Sequence, residues 1–175
     1  MYDILIILLA YLLGSIPFGL VIARLYGVSD IRSVGSGNIG ATNVMRSVGK
    51  FPALLVTILD ITKGTIPVII AGVFGGQLLG DIEYLKLTAG LFAILGHVFP
   101  IFLMFKGGKG INTAFGVFIT LLTVPTLIGV GVFILSVFIS KFVSLGSILS
   151  SMSLSISVYI LNTLNNSGYH PVYLP

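Results

Sequence analysis

Apolar and polar positions in this chain come in long blocks rather than alternating residue by residue. Ile4–Ala23, Leu87–Phe105 and Ile111–Ser140 carry no Asp, Glu, Lys or Arg. A helix needs roughly 20 predominantly apolar residues to cross a bilayer, so each of the first two blocks predicts one membrane helix. The third is long enough for a hairpin of two short helices, with Pro125 near its turn. Phe51 to about Gly75, interrupted only by Asp60 and Lys63, and Phe142–Leu164 predict two more. The expected fold is all-α, a polytopic helical membrane protein with about six membrane helices. Soluble core helices do not account for so many apolar runs.

Composition sharpens this reading. The 175 residues have a mean hydropathy of +1.14 and only 8% charged side chains, against about 25% in soluble domains. With no cysteine, disulfides and thiolate metal sites are excluded. Two histidines and five acids leave little material for a metal site, and neither a metal, a cofactor nor a nucleic-acid partner is expected. Only Asp3 precedes the first apolar block, so the N-terminus lacks the basic start of a cleaved signal.

The basic residues set the orientation. Arg24, Arg32, Arg46 and Lys50 follow the first block, which predicts an outside N-terminus and an inside 24–50 segment by the positive-inside rule. Counting helices onward brings Lys106, Lys109 and Lys141 to the same cytoplasmic side and leaves Lys86 on the other. Residues 1–164 then form one integral-membrane domain. Residues 165–175 form a short tail opened by an Asn165-Asn166-Ser167-Gly168 turn.

Three polar constellations fall on the cytoplasmic side. Gly35-Ser36-Gly37-Asn38-Ile39-Gly40 fits a G-x-G-x-x-G pattern, and Asp60 falls about 20 residues further on, where a dinucleotide fingerprint places its acid. That fingerprint needs a preceding strand, and here a membrane helix precedes it. A glycine-rich turn that starts a helix fits better. Asn38, Thr42 and Arg46 recur every four residues and would share one helical face, at a helix start whose free N–H groups favour an anion. A helix cap with a solvated arginine is the plainer alternative.

The second constellation, Phe105-Lys106-Gly107-Gly108-Lys109-Gly110, joins two apolar runs. Its glycines let backbone approach a ligand, and its lysines are point charges suited to phosphate. It reads equally as a loop whose lysines only fix orientation. His97 lies more than two turns earlier, as either a hydrogen-bonded packing residue or a catalyst. The third constellation holds Ser144 and Ser147, one turn apart. Serines in membrane helices commonly bond their own backbone or a neighbouring helix. Asp60 and Lys63, at i and i+3, can pair with each other. Charges inside a membrane usually face the bundle interior and mark function.

Five blocks in this order resemble the bacterial PlsY family of acyl-phosphate:glycerol-3-phosphate acyltransferases. They are Ser36–Asn43, Leu59–Gly64, Gly96–Pro100, Phe105–Gly110 and Val143–Ser147. The resemblance covers about residues 1–160. It implies a seven-helix membrane fold with a cytoplasmic active site in a bacterial inner membrane. It implies transfer of a fatty acyl group from acyl phosphate to the sn-1 hydroxyl of glycerol 3-phosphate, giving lysophosphatidic acid and phosphate in phospholipid synthesis. The implied partners are those two substrates and membrane lipids.

Site roles follow from the same resemblance. Ser36, Arg46 and Lys106 are the expected catalytic groups, with His97 as a candidate general base. Asn38, Thr42, Asn43, Lys63, Gly107, Gly108, Lys109, Ser144 and Ser147 are expected to bind substrate. The donor is already activated, so no covalent enzyme intermediate is needed, and the substrate's own phosphate is the expected proton acceptor. The stretch Asn162–Pro175 departs from the family's last helix and its basic block, which predicts a weakly active or inactive chain. A transporter or flippase of an anionic lipid, and a non-catalytic assembly protein, are the rivals. The absence of an internal repeat counts against the first.

Overall fold

A computed structural model describes residues 2–75 and 81–164. Every regular element among them is helical, as the apolar blocks predict. The chain divides into two compact units, Met1–Val117 and Phe118–Pro175.

The first unit opens with α1 (Tyr2–Ser15) and α2 (Phe18–Leu25). The uninterrupted Ile4–Ala23 span expected from the sequence is therefore corrected to two helices, parted at Ile16–Pro17. Pro17 lacks an N–H, and its ring clashes with the preceding helical turn. The break exposes the Ile16 carbonyl, and Lys63 Nζ from the next long helix donates to it at 2.8 Å.

After a loop, the short α3 (Ala41–Ser47) leads to α4 (Lys50–Phe74), which carries Pro67 without ending there. Leu20, Ala23, Ile31, Ile39, Val44 and Val56 form one apolar cluster, which seats α2 and α3 on α4 and fixes the loop between them.

Next, α5 (Ile82–Val98) begins at Asp81, whose side chain accepts from the Glu83 N–H at 2.9 Å. Its contact with α1 is built on small residues. Gly14 lies under the Ala93 carbonyl and Gly96 under the Tyr11 carbonyl, and a methyl at either position would overlap that backbone. In lipid, helices gain little from hiding apolar surface, so close backbone approach and dispersion hold them together. The first residues of α6 (Ile111–Leu121) meet α4 in the same way. Gly64 sits against the Thr113 carbonyl and Gly116 against the Ile61 carbonyl. Thr65 Oγ1 donates to the Gly116 carbonyl at 3.0 Å.

The second unit is dominated by the pair α7 (Thr123–Ser140) and α8 (Val143–Leu164). The predicted two helices of the 111–140 block are present, parted at Leu122. Pro125 lies in the first turn of α7, where a missing N–H costs nothing. Ser150 Oγ donates to the Gly129 carbonyl at 2.8 Å and ties α8 to α7. Lys141, with φ of +63°, makes the tight connection between them.

Five segments are long and apolar enough to cross a membrane: Tyr2–Leu25, Lys50–Phe74, Ile82–Leu103, Thr123–Ser140 and Ser144–Thr163. The sixth expected helix, α6, has 11 residues, or about 16 Å at 1.5 Å per residue, short of a hydrocarbon core about 30 Å thick. Leu8, Leu12, Ile58, Ile69, Leu91 and Phe138 are exposed on the longer helices, an arrangement suited to lipid as solvent. The 165–175 tail and its expected turn lie outside the described residues.

Candidate active site

The glycine turn is organised by one buried side chain. Asn43, 1% exposed, accepts the Ser36 N–H at its Oδ1 at 2.8 Å. Its Nδ2 lies within donating distance of the Ile31, Val34 and Asn38 carbonyls, at 3.0, 3.0 and 2.8 Å. A loop rich in backbone polar groups is thus satisfied from within by a single amide. Gly35, with φ of +60°, packs against Asn43 Oδ1 and Ser47 Oγ so closely that a Cβ would overlap both. Only glycine fits there, for conformation and for space alike.

Asn38 corrects an expectation. It lies before α3, not on it, so only Thr42 and Arg46 share the helix. Its Oδ1 accepts the Gly40 N–H at 2.8 Å, and the side chain closes the turn that launches α3. Short polar side chains favour this role over a place inside a helix.

The lysine loop is folded back onto the end of α5. Gly107 N–H donates to the Val98 carbonyl at 3.2 Å and Gly108 N–H to the His97 carbonyl at 3.1 Å. Gly108 lies directly against the His97 ring, with Nε2 the nearest ring atom, and a Cβ there would overlap it. Met104 and Phe105 turn the chain into this loop with φ of +49° and +62°.

Between the glycine turn and this loop lies a cavity of about 410 Å³. The turn and α3 contribute Ser36, Asn38, Thr42, Asn43 and Arg46 to its wall. Helix α4 contributes Thr57 and Asp60, and α5 contributes His97. Lys109, Gly110, Ile111 and Asn112 close the remaining side. Most residues expected at the site are therefore brought together, from segments far apart in sequence.

Others stand elsewhere. Lys106 is exposed on the loop, Gly107 and Gly108 are half-buried, and none of the three lines the cavity. Ser144 and Ser147 lie exposed on α8 in the second unit. Lys63 is buried and committed to structure. Its Nζ is 2.9 Å from Asp60 Oδ1 and 2.8 Å from the Ile16 carbonyl, and 5.5 Å from the centre of the Phe18 ring. The expected Asp60–Lys63 pair is formed.

The charges divide cleanly. Asp60 is neutralised by Lys63. Arg32, on the outer side of the glycine turn, is held by Asp30 at 2.7 Å. The side-chain hydrogen bond from Arg32 lowers the Asp30 carboxyl to about 2. Arg46 and Lys109 make no ion pair or side-chain hydrogen bond among the described residues. The cavity thus holds two uncommitted cations and no uncommitted carboxylate, beside hydroxyl and amide groups. Such a lining suits a phosphate ester.

Sequence reasoning passed over Thr57, Asn112 and Thr113. Thr57 stands one turn before Asp60 on α4, and Asn112 comes two residues after the end of the lysine loop. Thr113 is fully buried, with its Oγ1 3.1 Å from His97 Nδ1.

Comparison with known proteins gives a consistent result. A family model described as glycerol-3-phosphate acyltransferase matches residues 4–174. A glycerol-3-phosphate acyltransferase of Trichlorobacter lovleyi is 46% identical over 150 residues, covering 86% of this chain and 74% of that protein. One from Shouchella clausii is 45% identical over 168 residues, covering 96% and 80%. The crystal structure of PlsY (YgiH), an integral membrane glycerol 3-phosphate acyltransferase in its glycerol 3-phosphate form, superimposes with a TM-score of 0.78. It is 40% identical, over 92% of this chain and 78% of that one.

Proposed function

This chain belongs to the glycerol-3-phosphate acyltransferase family and is a membrane acyltransferase of phospholipid synthesis, and from that premise we propose that its donor is acyl phosphate and that the cavity between the glycine turn and the lysine loop is its active site. The sn-1 hydroxyl oxygen of glycerol 3-phosphate attacks the acyl carbonyl carbon. The bond from that carbon to the phosphate oxygen breaks, and phosphate leaves with the electron pair. The hydroxyl proton passes to the departing phosphate, leaving His97 as the secondary candidate for a base.

The observation that carries this reading is the pair of uncommitted cations, Arg46 and Lys109, in a cavity whose one carboxylate is already neutralised. Both substrates bring phosphate, and negative charge grows on the leaving group. Fixed cations and hydrogen-bond donors aimed at developing charge, with substrates held in register, supply catalysis without a covalent intermediate. In this reading Ser36, Asn38 and Thr42 take the remaining phosphate oxygens, and Asn43 preserves the shape of the turn. On the strength of the family resemblance alone, Lys106 is assigned to the phosphate groups of the two substrates, and Ser144 and Ser147 to the lining of their pocket.

The site is assigned to the cytoplasmic face of a bacterial inner membrane. The support is the basic bias of Arg24, Arg32, Arg46 and Lys50 together with Lys106 and Lys109. Purified protein given radiolabelled glycerol 3-phosphate and acyl phosphate is expected to form labelled lysophosphatidic acid. Product formation from an acyl thioester, with none from acyl phosphate, would overturn the donor assignment.

A further inference from the structure

At the inner wall of the cavity, three helices bring together polar groups of which only His97 has so far been given a part, as the secondary candidate base. Asp60 on α4 is 2% exposed, His97 on α5 5% and Thr113 on α6 fully buried. Buried polar groups persist in lipid only when each is satisfied by another. Here both partners of the imidazole converge on a single nitrogen. Thr113 Oγ1 is 3.1 Å from His97 Nδ1, and Asp60 Oδ1 is 3.7 Å from it. Asp60 is in turn held by Lys63, which is anchored to the Ile16 carbonyl at the break between α1 and α2.

With Nδ1 engaged, the ring has one orientation and its other edge is fixed. That edge meets the lysine loop: a Cβ added at Gly108 would overlap Nε2, and one added at Gly110 would lie 4.0 Å from Cδ2. The loop is also hung from the backbone of the same residue, through the Gly108 N–H and the His97 carbonyl. The imidazole is therefore a brace between α4 and α6 on one side and the loop carrying Lys109 on the other. If the ring turned about its Cβ–Cγ bond, the loop would lose the surface against which Gly108 and Gly110 pack.

We propose that Asp60 and Thr113 are positioning residues for the acyltransfer reaction, acting through His97, whose fixed ring braces the lysine loop and so places Lys109 in the cavity. The proposal rests on the acyltransferase reading of this cavity. It assigns no proton-transfer step to Asp60 or Thr113, since neither needs to touch substrate.

Thr113→Val removes the hydroxyl and keeps the shape. It should lower kcat/KM for glycerol 3-phosphate about ten-fold, the size of one buried hydrogen bond, and Thr113→Ser should restore most of the loss. The decisive comparison is the same change in a His97→Ala background, where a residue acting only through the ring should cost less than about two-fold. A ten-fold loss there too would show that Thr113 acts independently of His97 and would overturn the proposal, as would a Thr113→Val enzyme at full rate.

A second readout does not depend on activity. In protein labelled with 15N-histidine, His97 and His170 are the only histidines, and His170→Gln assigns the signals. The His97 ring-nitrogen resonances should move in Thr113→Val and in Asp60→Asn and return in Thr113→Ser. Unmoved resonances in both variants would refute the brace even if the wild-type chain transferred no acyl group, an outcome that would count separately against the functional reading.

Discussion

Two arginines flank the glycine turn, and they are handled in opposite ways. Arg32 is gripped by Asp30 two residues away, at the solvent edge. Arg46, at the end of α3, faces the cavity with no acidic partner among the described residues. The same contrast recurs among the lysines, where Lys63 is buried and saturated while Lys109 stands uncommitted at the cavity wall. The lesson concerns where a membrane protein places unbalanced charge. A cation paired within the fold serves the fold, and one held beside a polar cavity without a partner is positioned for an anion from outside.

The contrast breaks most violently at Lys63. Lys63→Ala would leave the buried Asp60 without its cation and with only His97 Nδ1 nearby at 3.7 Å, and removing one member of a buried pair costs about 3–5 kcal/mol. Thermal unfolding in detergent should show a much lower midpoint or a loss of folded yield. A variant as stable as the wild type would mean that the pair is structurally idle.

Gly108→Ala comes next. The new methyl would collide with His97 Nε2, and overpacking of this kind costs about 1–3 kcal/mol. Acyltransfer should fall while the helical content measured by circular dichroism is kept. Unchanged turnover would show that the loop can shift without consequence for Lys109.

Arg32→Ala should do least. The pair is open to solvent, where water and salt screen it, so kinetics should be unaltered. The visible change is in titration: the Asp30 carboxyl, at about 2 in the folded chain, should return toward 3.8. Because the folded value is the depressed one, the pair's stabilising contribution is complete above about 3.8 and disappears as pH falls through about 2. Carboxyl 13C shifts followed by NMR test this, and an Asp30 midpoint that stays near 2 without Arg32 would contradict the assigned cause.

The parts of this account legible in the sequence are those set by local rules. Uncharged runs marked the spans, because lipid excludes charge. Glycines at 35, 37 and 40 marked a turn before a helix, and Asp60 and Lys63 advertised a pair by their i, i+3 spacing. The break at Ile16–Pro17 was masked because the residues around it are as apolar as the helices it separates, and the polar partner of its free carbonyl comes from Lys63. Thr57, Asn112 and Thr113 were illegible for a related reason. A small polar residue in a membrane helix looks the same whether it bonds its own backbone, as Thr62 does, lines a cavity while doing so, as Thr57 does, or faces a histidine on another helix, as Thr113 does. Asn38 misled because four-residue spacing toward Thr42 and Arg46 is also what a capping turn followed by a short helix produces.

The most direct test of the unbalanced cavity is glycerol 3-phosphate binding by calorimetry to wild-type, Arg46→Ala and Arg32→Ala protein in the same detergent. A charge-assisted hydrogen bond is worth about 1.5–3 kcal/mol, so Arg46→Ala should weaken binding by about ten- to a hundred-fold while Arg32→Ala binds as the wild type does. Equal affinities for all three proteins would contradict the account, because the uncommitted arginine would then be no more a ligand for phosphate than the paired one.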